Sequence, residues 1–388
     1  MIYFDNNATT PVAPEALEVM LPYFTQHFGN PASRQHAFGW VAEEAVDQAR
    51  KHVAEVLKVE PLEICFTSGA TEACNLALKG VYGLYQRKGK HIITVTTEHK
   101  AVLDTCHYLE SLGAEITYLP VDTKGFIDFN MLRDAIRADT ILVAVMWANN
   151  ETGVIHPIDE IGKICAEKGT MLFSDATQAV GKIPVHPRES GVQLLALSAH
   201  KFYGPKGIGV LYISRRSPRV KLSPLIHGGG HEEGMRSGTL NVPNIVGLGR
   251  AITLAQEKMM ETNTRLQSMR DRLESSLLEF PSVFVNGDTV NRLSHVSNIR
   301  FDSIDGGALM TSLSKELAIA SGSACTSANP EPSHVLQAMG LSRNQAKASL
   351  RISLGRFNTE EEVHTAIALI KGGAEKLREQ SVEWGMRL

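Results

Sequence analysis

Cysteine is scarce in this chain: five residues among 388, an odd number at scattered positions. That argues against a disulfide framework and for a reducing, cytoplasmic setting. No Cys-x-x-Cys pair and no Cys/His cluster is present, so no intrinsic metal site is expected. Long apolar runs are also missing; none approaches the roughly 20 residues that span a bilayer. The start, Met1-Ile2-Tyr3-Phe4-Asp5, lacks the basic residues and apolar core of a signal peptide. Charge excess is absent as well. A net charge of −3 makes no electrostatic case for binding nucleic acid or a membrane surface. What remains is an ordinary soluble composition, 43% hydrophobic and 21% charged, in a chain long enough for a large domain plus a smaller one.

Short apolar runs alternate with helical patterns from about residue 60 to 213. Strands are expected at Ile64–Thr67, His91–Thr96, 115–119, Ile141–Trp147, Met171–Phe173, Leu194–Leu197 and Val210–Ile213. Such alternation predicts an α/β domain with a mainly parallel sheet. Before it, Glu15–Phe24 and residues 34–57 carry apolar residues at helical spacing, the latter including Trp40, Val41, Ala45, Ala49, Val53 and Leu57, with Ser33 placed to cap it. After residue 213 a glycine-rich segment, His227–Asn241, shows no strand periodicity. A long helix over about 244–279 then leads to an α+β region. The domains predicted are 15–255 for the large unit, and 1–14 with 256–388 for the small one.

Several expected strand ends carry reactive groups. Lys201 follows Leu194–Ser198 in Ser198-Ala199-His200-Lys201, where partial desolvation lowers an amine pKa and favours attack on a carbonyl. Asp175 ends the run Met171-Leu172-Phe173, one strand upstream. A lysine for a Schiff base and an acid for a pyridinium nitrogen are the two groups pyridoxal phosphate requires. Ile64-Cys65-Phe66-Thr67-Ser68-Gly69-Ala70-Thr71 runs from a strand into a helix start, whose free N–H groups suit a phosphate; Thr71 with Glu72 also reads as a plain helix cap. His99 follows another strand. Four cysteines, Cys65, Cys74, Cys106 and Cys165, sit in or beside strand or helix patterns and read as core filler. Cys325 instead lies in a run of small residues, Ser321-Gly322-Ser323-Ala324-Cys325-Thr326-Ser327, that describes an exposed loop.

From Tyr3-Phe4-Asp5-Asn6-Asn7-Ala8-Thr9-Thr10 to about Trp384 the sequence resembles the cysteine desulfurases of the class V aminotransferase group, of the nitrogen-fixation and iron–sulfur-cluster type. The resemblance implies a fold-type I transferase that binds pyridoxal 5'-phosphate, with a seven-stranded, mainly parallel α/β domain. It implies that Lys201 carries the cofactor, Asp175 faces its ring nitrogen, and His99 stacks on the ring and relays protons. Ala70 and Thr71 would cup the phosphate, Asn150 would meet the phenolic oxygen, and Gln178, Ser198 and His200 would complete the cofactor site. Arg351 and Asn7 would hold the carboxylate of L-cysteine, while Arg356 is read as structural. Thr239 would reach the partner subunit's cofactor, which implies a homodimer with shared active sites. Cys325 would be the nucleophile that takes the sulfur as a persulfide and hands it to an iron–sulfur scaffold or another acceptor; it would also be a transient ligand for a transferred cluster. The alternatives are a lyase directed to selenocysteine, another class V aminotransferase, or a catalytically silent sulfur carrier. His295 and Lys347 depart from the residues many relatives carry, and an end at Leu388 leaves less tail for docking a scaffold protein.

Overall fold

The computed structural model describes residues 1–216, 219–321 and 331–379. Seven strands form its main sheet: β1 Ile64–Thr67, β2 His91–Val95, β3 Glu115–Leu119, β4 Thr140–Ala144, β5 Met171–Asp175, β6 Leu194–Ser198 and β7 Gly209–Ile213. Their spatial order is β1-β7-β6-β5-β4-β2-β3. Only β7 runs against its neighbours. Strands β1 to β6 therefore all deliver their carboxyl ends to one edge, where open α/β sheets bind ligands.

Apart from β3, whose Glu115 is exposed, the strands are largely apolar because both faces are covered. Successive residues of β6 go to opposite sides, as a strand requires. Leu194 and Ala196 join a cluster with Ala73, Leu76 and Val81 of helix Ala70–Tyr85 and Val102 of helix Lys100–Ser111. Leu195 and Leu197 join another with Ala42, Val46 and Val53 of helix Ala37–Leu57 and Leu248 of helix Val242–Glu257.

A second core, made of Phe4 and residues from Leu266 to Ala374, lies around a three-stranded antiparallel sheet. Its strands are Val283–Val285, Val296–Phe301 and Ser349–Ser353, with Val296–Phe301 in the middle. The N-terminal arm is stitched to this unit: Ile2–Tyr3 pairs with Leu317–Ala318, and Asp5 bridges to Ser353. Among the described residues no helix is long and apolar enough to cross a membrane.

The structure differs from the sequence reading at four helices. The stretch Glu15–Phe24 is two helices, Pro14–Met20 and Pro22–Thr25, because Pro22 has no N–H to continue the ladder. Helix Ala37–Leu57 is capped by His36, whose ring accepts from Gly39 N–H, and not by Ser33. Trp40 and Val41 of that helix are exposed; the buried face runs through Ala42, Ala45, Ala49 and Val53. The expected 244–279 helix breaks at Lys258 into Val242–Glu257 and Met259–Leu278. At the phosphate-type turn, Gly69 precedes the helix at φ 153°, so Thr71 sits in the first turn and is not the cap.

Candidate active site

Along the shared edge, the ends of β1, β2, β4, β5 and β6 open on a cavity of about 720 Å³. Each strand ends in a different local device. After β1, Gly69 starts helix Ala70–Tyr85, and the first-turn N–H groups of Ala70 and Thr71 have no carbonyl behind them by position. A positive φ at Gly69 suits glycine. Across from it, a Cβ on Gly209 would lie 2.7 Å from Gly69 Cα, so Gly209 must be glycine for the two segments to pass here. After β2, His99 caps helix Lys100–Ser111; its Nδ1 accepts from Ala101 N–H at 3.1 Å. An accepting Nδ1 is unprotonated, which leaves any ring proton on Nε2.

After β4, Asn149 and Asn150 divide the work. Asn149 is buried and builds the turn, its Oδ1 accepting from Glu151 and Thr152 N–H at 2.9 and 3.0 Å. Asn150 lines the cavity. Asp175 is the last residue of β5, held by Thr177 N–H at 2.9 Å. Beyond β6, a 3-10 turn over Ala199–Lys201 carries Lys201 to the cavity. Its Nζ donates to the carbonyls of Asn7 and Ala8 at 2.6 and 2.8 Å.

The opposite wall comes from the small sheet and the N-terminal arm. Arg351, in the middle of Ser349–Ser353, donates to Asp5 Oδ1 at 2.7 Å and to Asn150 O at 3.1 Å. Its Nε is buried without a partner. Asn7 donates from Nδ2 to the same Asn150 carbonyl at 3.0 Å. The arm is pinned further by His200, whose Nδ1 lies 3.1 Å from Thr9 Oγ1 and whose carbonyl accepts from Thr10.

Electrostatics follow from burial and from this crowding. Burial, with Arg351 nearby, pushes the Lys201 amine down to about 8, against the opposing pull of Asp175 and Asp5. Burial also lowers His99, while Asp175 raises it; His200 falls to about 4, mainly by burial and then by Lys201. Glu98, beside His99, is pushed well above the carboxylate range by burial and by Asp175. The four described cysteines are free and buried, and burial raises every one of their thiols, to about 12 for Cys106 and Cys165. None is a thiolate near neutral pH.

Of the predicted residues, Asn7, Ala70, Thr71, His99, Asn150, Asp175, Gln178, Ser198, His200, Lys201 and Arg351 line this one cavity. Thr239 is exposed and is not among its lining residues. Cys325 lies outside the described residues. Arg356 is turned to packing, its guanidinium stacked over Tyr203 and Phe357. The sequence reading missed His334, which lines the cavity and bonds Glu98 O through Nε2 at 3.0 Å. It also missed Glu151, whose carboxylate accepts from Ser333. Their signal was position: Ser333 and His334 follow the small-residue run, and Glu151 follows Asn150.

A pyridoxal phosphate group fits these residues. The cavity offers a low-pKa amine, an aspartate held on a strand end, a neutral imidazole, and uncommitted N–H groups at a helix start for the phosphate. The comparisons agree. The class-V aminotransferase family model matches residues 2–365. "Cysteine desulfurase IscS" of Methylobacillus flagellatus is 52% identical over 388 residues, all of this chain and 95% of that one. The protein of the same name from Colwellia psychrerythraea is 53% identical over 387 residues, 99% of this chain and 95% of the relative. Among solved structures, a NifS-like protein superposes with a TM-score of 0.90 at 40% identity, covering 97% of this chain and 99% of the other. A NifS-like protein from Rickettsia africae does so at 0.87 and 30% identity, covering 97% and 99%. By sequence, fold and cavity, the chain belongs to the class V aminotransferase family, among its pyridoxal phosphate-dependent cysteine desulfurases.

Proposed function

We propose that this chain converts L-cysteine to L-alanine and carries the released sulfur as a persulfide on Cys325. The observation that carries this reading is the convergence of Lys201, Asp175, His99 and Arg351 on one cavity, with the two described flanks of the Cys325 segment beside it. Ala320 exchanges backbone hydrogen bonds with Arg351, and His334 lines the cavity.

Bound there, pyridoxal phosphate supplies an electron sink for the substrate Cα. Lys201 would anchor the cofactor, and its amine would be the base for the Cα proton. Asp175 keeps the ring nitrogen protonated, Ala70 and Thr71 hold the phosphate, and Asn150, Gln178, Ser198 and His200 complete the cofactor site. His99 handles the substrate thiol proton. Arg351 and Asn7 grip the α-carboxylate, the guanidinium fork matching its two oxygens. Asp5 shares Arg351 and sits beside the arriving carboxylate. The Cys325 thiolate attacks the substrate sulfur; the Cβ–S bond breaks, the carbon is reduced to the alanine methyl, and the sulfur becomes the outer atom of the persulfide. No external oxidant enters this step.

Thr239 is exposed and stands off its own cavity, as a group serving a partner subunit would; we read the active form as a homodimer. The remaining assignments follow from this reading: a cytoplasmic enzyme, an iron–sulfur scaffold or a tRNA-thiolation carrier as sulfur acceptor, a large unit over 15–255, and a small one over 1–14 and 256–388.

The test is an anaerobic assay with L-cysteine and a reductant, following alanine and sulfide together. Equal amounts of the two are expected. Cys325→Ala is expected to keep the visible absorption of bound cofactor and lose sulfide release. Turnover retained in that variant would sink the persulfide assignment, and equal turnover confined to selenocysteine would favour the selenocysteine-directed reading.

A further inference from the structure

Asn7 is only 1% exposed although it lines the cavity. Each of its polar groups is held by a different segment. Its N–H donates to Ser353 Oγ at 2.9 Å. Its carbonyl accepts from Gln178 Nε2 at 3.0 Å and from Lys201 Nζ at 2.6 Å. Its Nδ2 donates to Asn150 O at 3.0 Å, and its Oδ1 lies 2.8 Å from His295 Nε2.

These contacts settle the direction of each bond. A backbone carbonyl only accepts, so the Asn7 amide nitrogen must face Asn150 O. The amide oxygen then faces His295, and His295 must donate from Nε2. Burial, with Lys182 and Arg270 nearby, pushes His295 well below the usual histidine range, so the donor is the neutral ring. The same Asn150 carbonyl also accepts from Arg351 Nη1 at 3.1 Å. One oxygen therefore ties the Asn7 amide to the Arg351 guanidinium. Asn7 keeps one Nδ2 proton that none of these bonds uses.

His295 itself does not line the cavity. It is buried at the start of Val296–Phe301, and its carbonyl accepts from Leu354 N–H at 2.9 Å. Its ring reaches the cavity lining through its hydrogen bond to Asn7.

We propose that His295 is a positioning residue for substrate recognition: its Nε2–H holds Asn7 Oδ1, so that the free Nδ2 proton of Asn7 and the Arg351 fork form one two-point site for an α-amino acid carboxylate. This rests on the reading of Asn7 and Arg351 as the carboxylate site. Without the imidazole, the amide loses the partner on its oxygen, and only the bond from Nδ2 to Asn150 O still opposes its rotation away from Arg351.

The test uses the holoenzyme and a pair of near-isosteric variants. A glutamine side chain places an amide nitrogen near the position of imidazole Nε2; asparagine reaches only as far as Nδ1. His295→Asn and His295→Ala are each expected to raise KM for L-cysteine about tenfold, the worth of one well-placed hydrogen bond, with kcat changed less than about twofold. His295→Gln is expected to restore KM to within about threefold of the parent. In the background of Asn7→Ala, His295→Asn is expected to add no further effect. L-Alanine binding, read from the change it makes in the visible spectrum of the bound cofactor, should weaken by the same factor. That second readout does not depend on sulfur release, so it tests His295 even if the desulfurase assay fails. An unchanged KM in both disrupting variants, no rescue by glutamine, or an additive effect in the double variant would overturn the proposal.

Discussion

The cavity has two walls that are built in different ways. The sheet wall takes its groups from the carboxyl ends of β1, β2, β4, β5 and β6 and the turns that follow them, so each residue is set by local chain. The opposite wall is assembled from the N-terminal arm and the small sheet. Its contacts join Asn7 to Asn150, Gln178, His295 and Ser353, and Arg351 to Asp5, across 143 to 346 residues of sequence. The groups read as holding the cofactor belong mainly to the local wall, and those read as holding the substrate carboxylate to the long-range one. A cofactor that stays can rely on rigid strand ends. A substrate that comes and goes meets a wall whose geometry depends on how the arm and the small sheet dock.

The largest effect is expected at Lys201. Lys201→Ala should abolish the cofactor's lysine-linked visible absorption and cut turnover by at least about 10³-fold, since anchor and base are lost together. An unchanged spectrum would remove Lys201 from the site. Next comes the far wall. Arg351→Ala should lower kcat/KM for L-cysteine by about 10²-fold, with the absorption of the bound cofactor kept, and Arg351→Lys should recover little because it lacks the planar fork. If Arg351→Ala instead emptied the protein of cofactor, the division into two walls would be wrong.

A pH dependence sharpens the local wall. The reactive amine is the neutral form, and Lys201 titrates at about 8, below an ordinary lysine. Uptake of pyridoxal phosphate by apo-protein should therefore speed up about tenfold per pH unit below 8 and level off above it. Stopped-flow absorbance would follow this; a rate still rising steeply past pH 10 would mean an unperturbed lysine. The smallest effect is expected at Ser353, whose Oγ accepts from Asn7 N–H. Ser353→Ala should cost about 1 kcal/mol of stability and change KM by no more than a few-fold, because four other bonds still hold Asn7. A loss as large as that of Arg351→Ala would show the arm to be far less redundant than its bonds suggest.

The two walls also differ in how far they were legible in the sequence. Strand ends with Lys, Asp, His or a Gly-led helix start are local patterns, and Lys201, Asp175 and the Gly69–Thr71 turn could be picked out from them. Arg351 and Asn7 were reached only through the family resemblance; nothing in Arg351-Ile352-Ser353 says that it faces Asn150. Trp40 and Val41 lie at helical apolar spacing yet are exposed, because that spacing identifies an apolar stripe without saying what covers it. Pro22 and Lys258 show the same limit at element ends: one missing N–H, or one residue at φ −97° and ψ 4°, divides a pattern that periodicity runs straight through.

By itself the sequence determined the mainly parallel sheet, through largely apolar strands alternating with amphipathic helices, and the chemical inventory along its carboxyl edge. It also determined that four of the five cysteines would be inert, because they sit within strand and helix patterns that bury. Tertiary structure alone decided which distant groups complete the site. His295 and Asn7 are 288 residues apart and meet at 2.8 Å. Hydrogen-bond partners at such separations are set by how two sheets and an arm dock, and a side-chain contact of that kind leaves no periodicity in the chain for sequence reasoning to find.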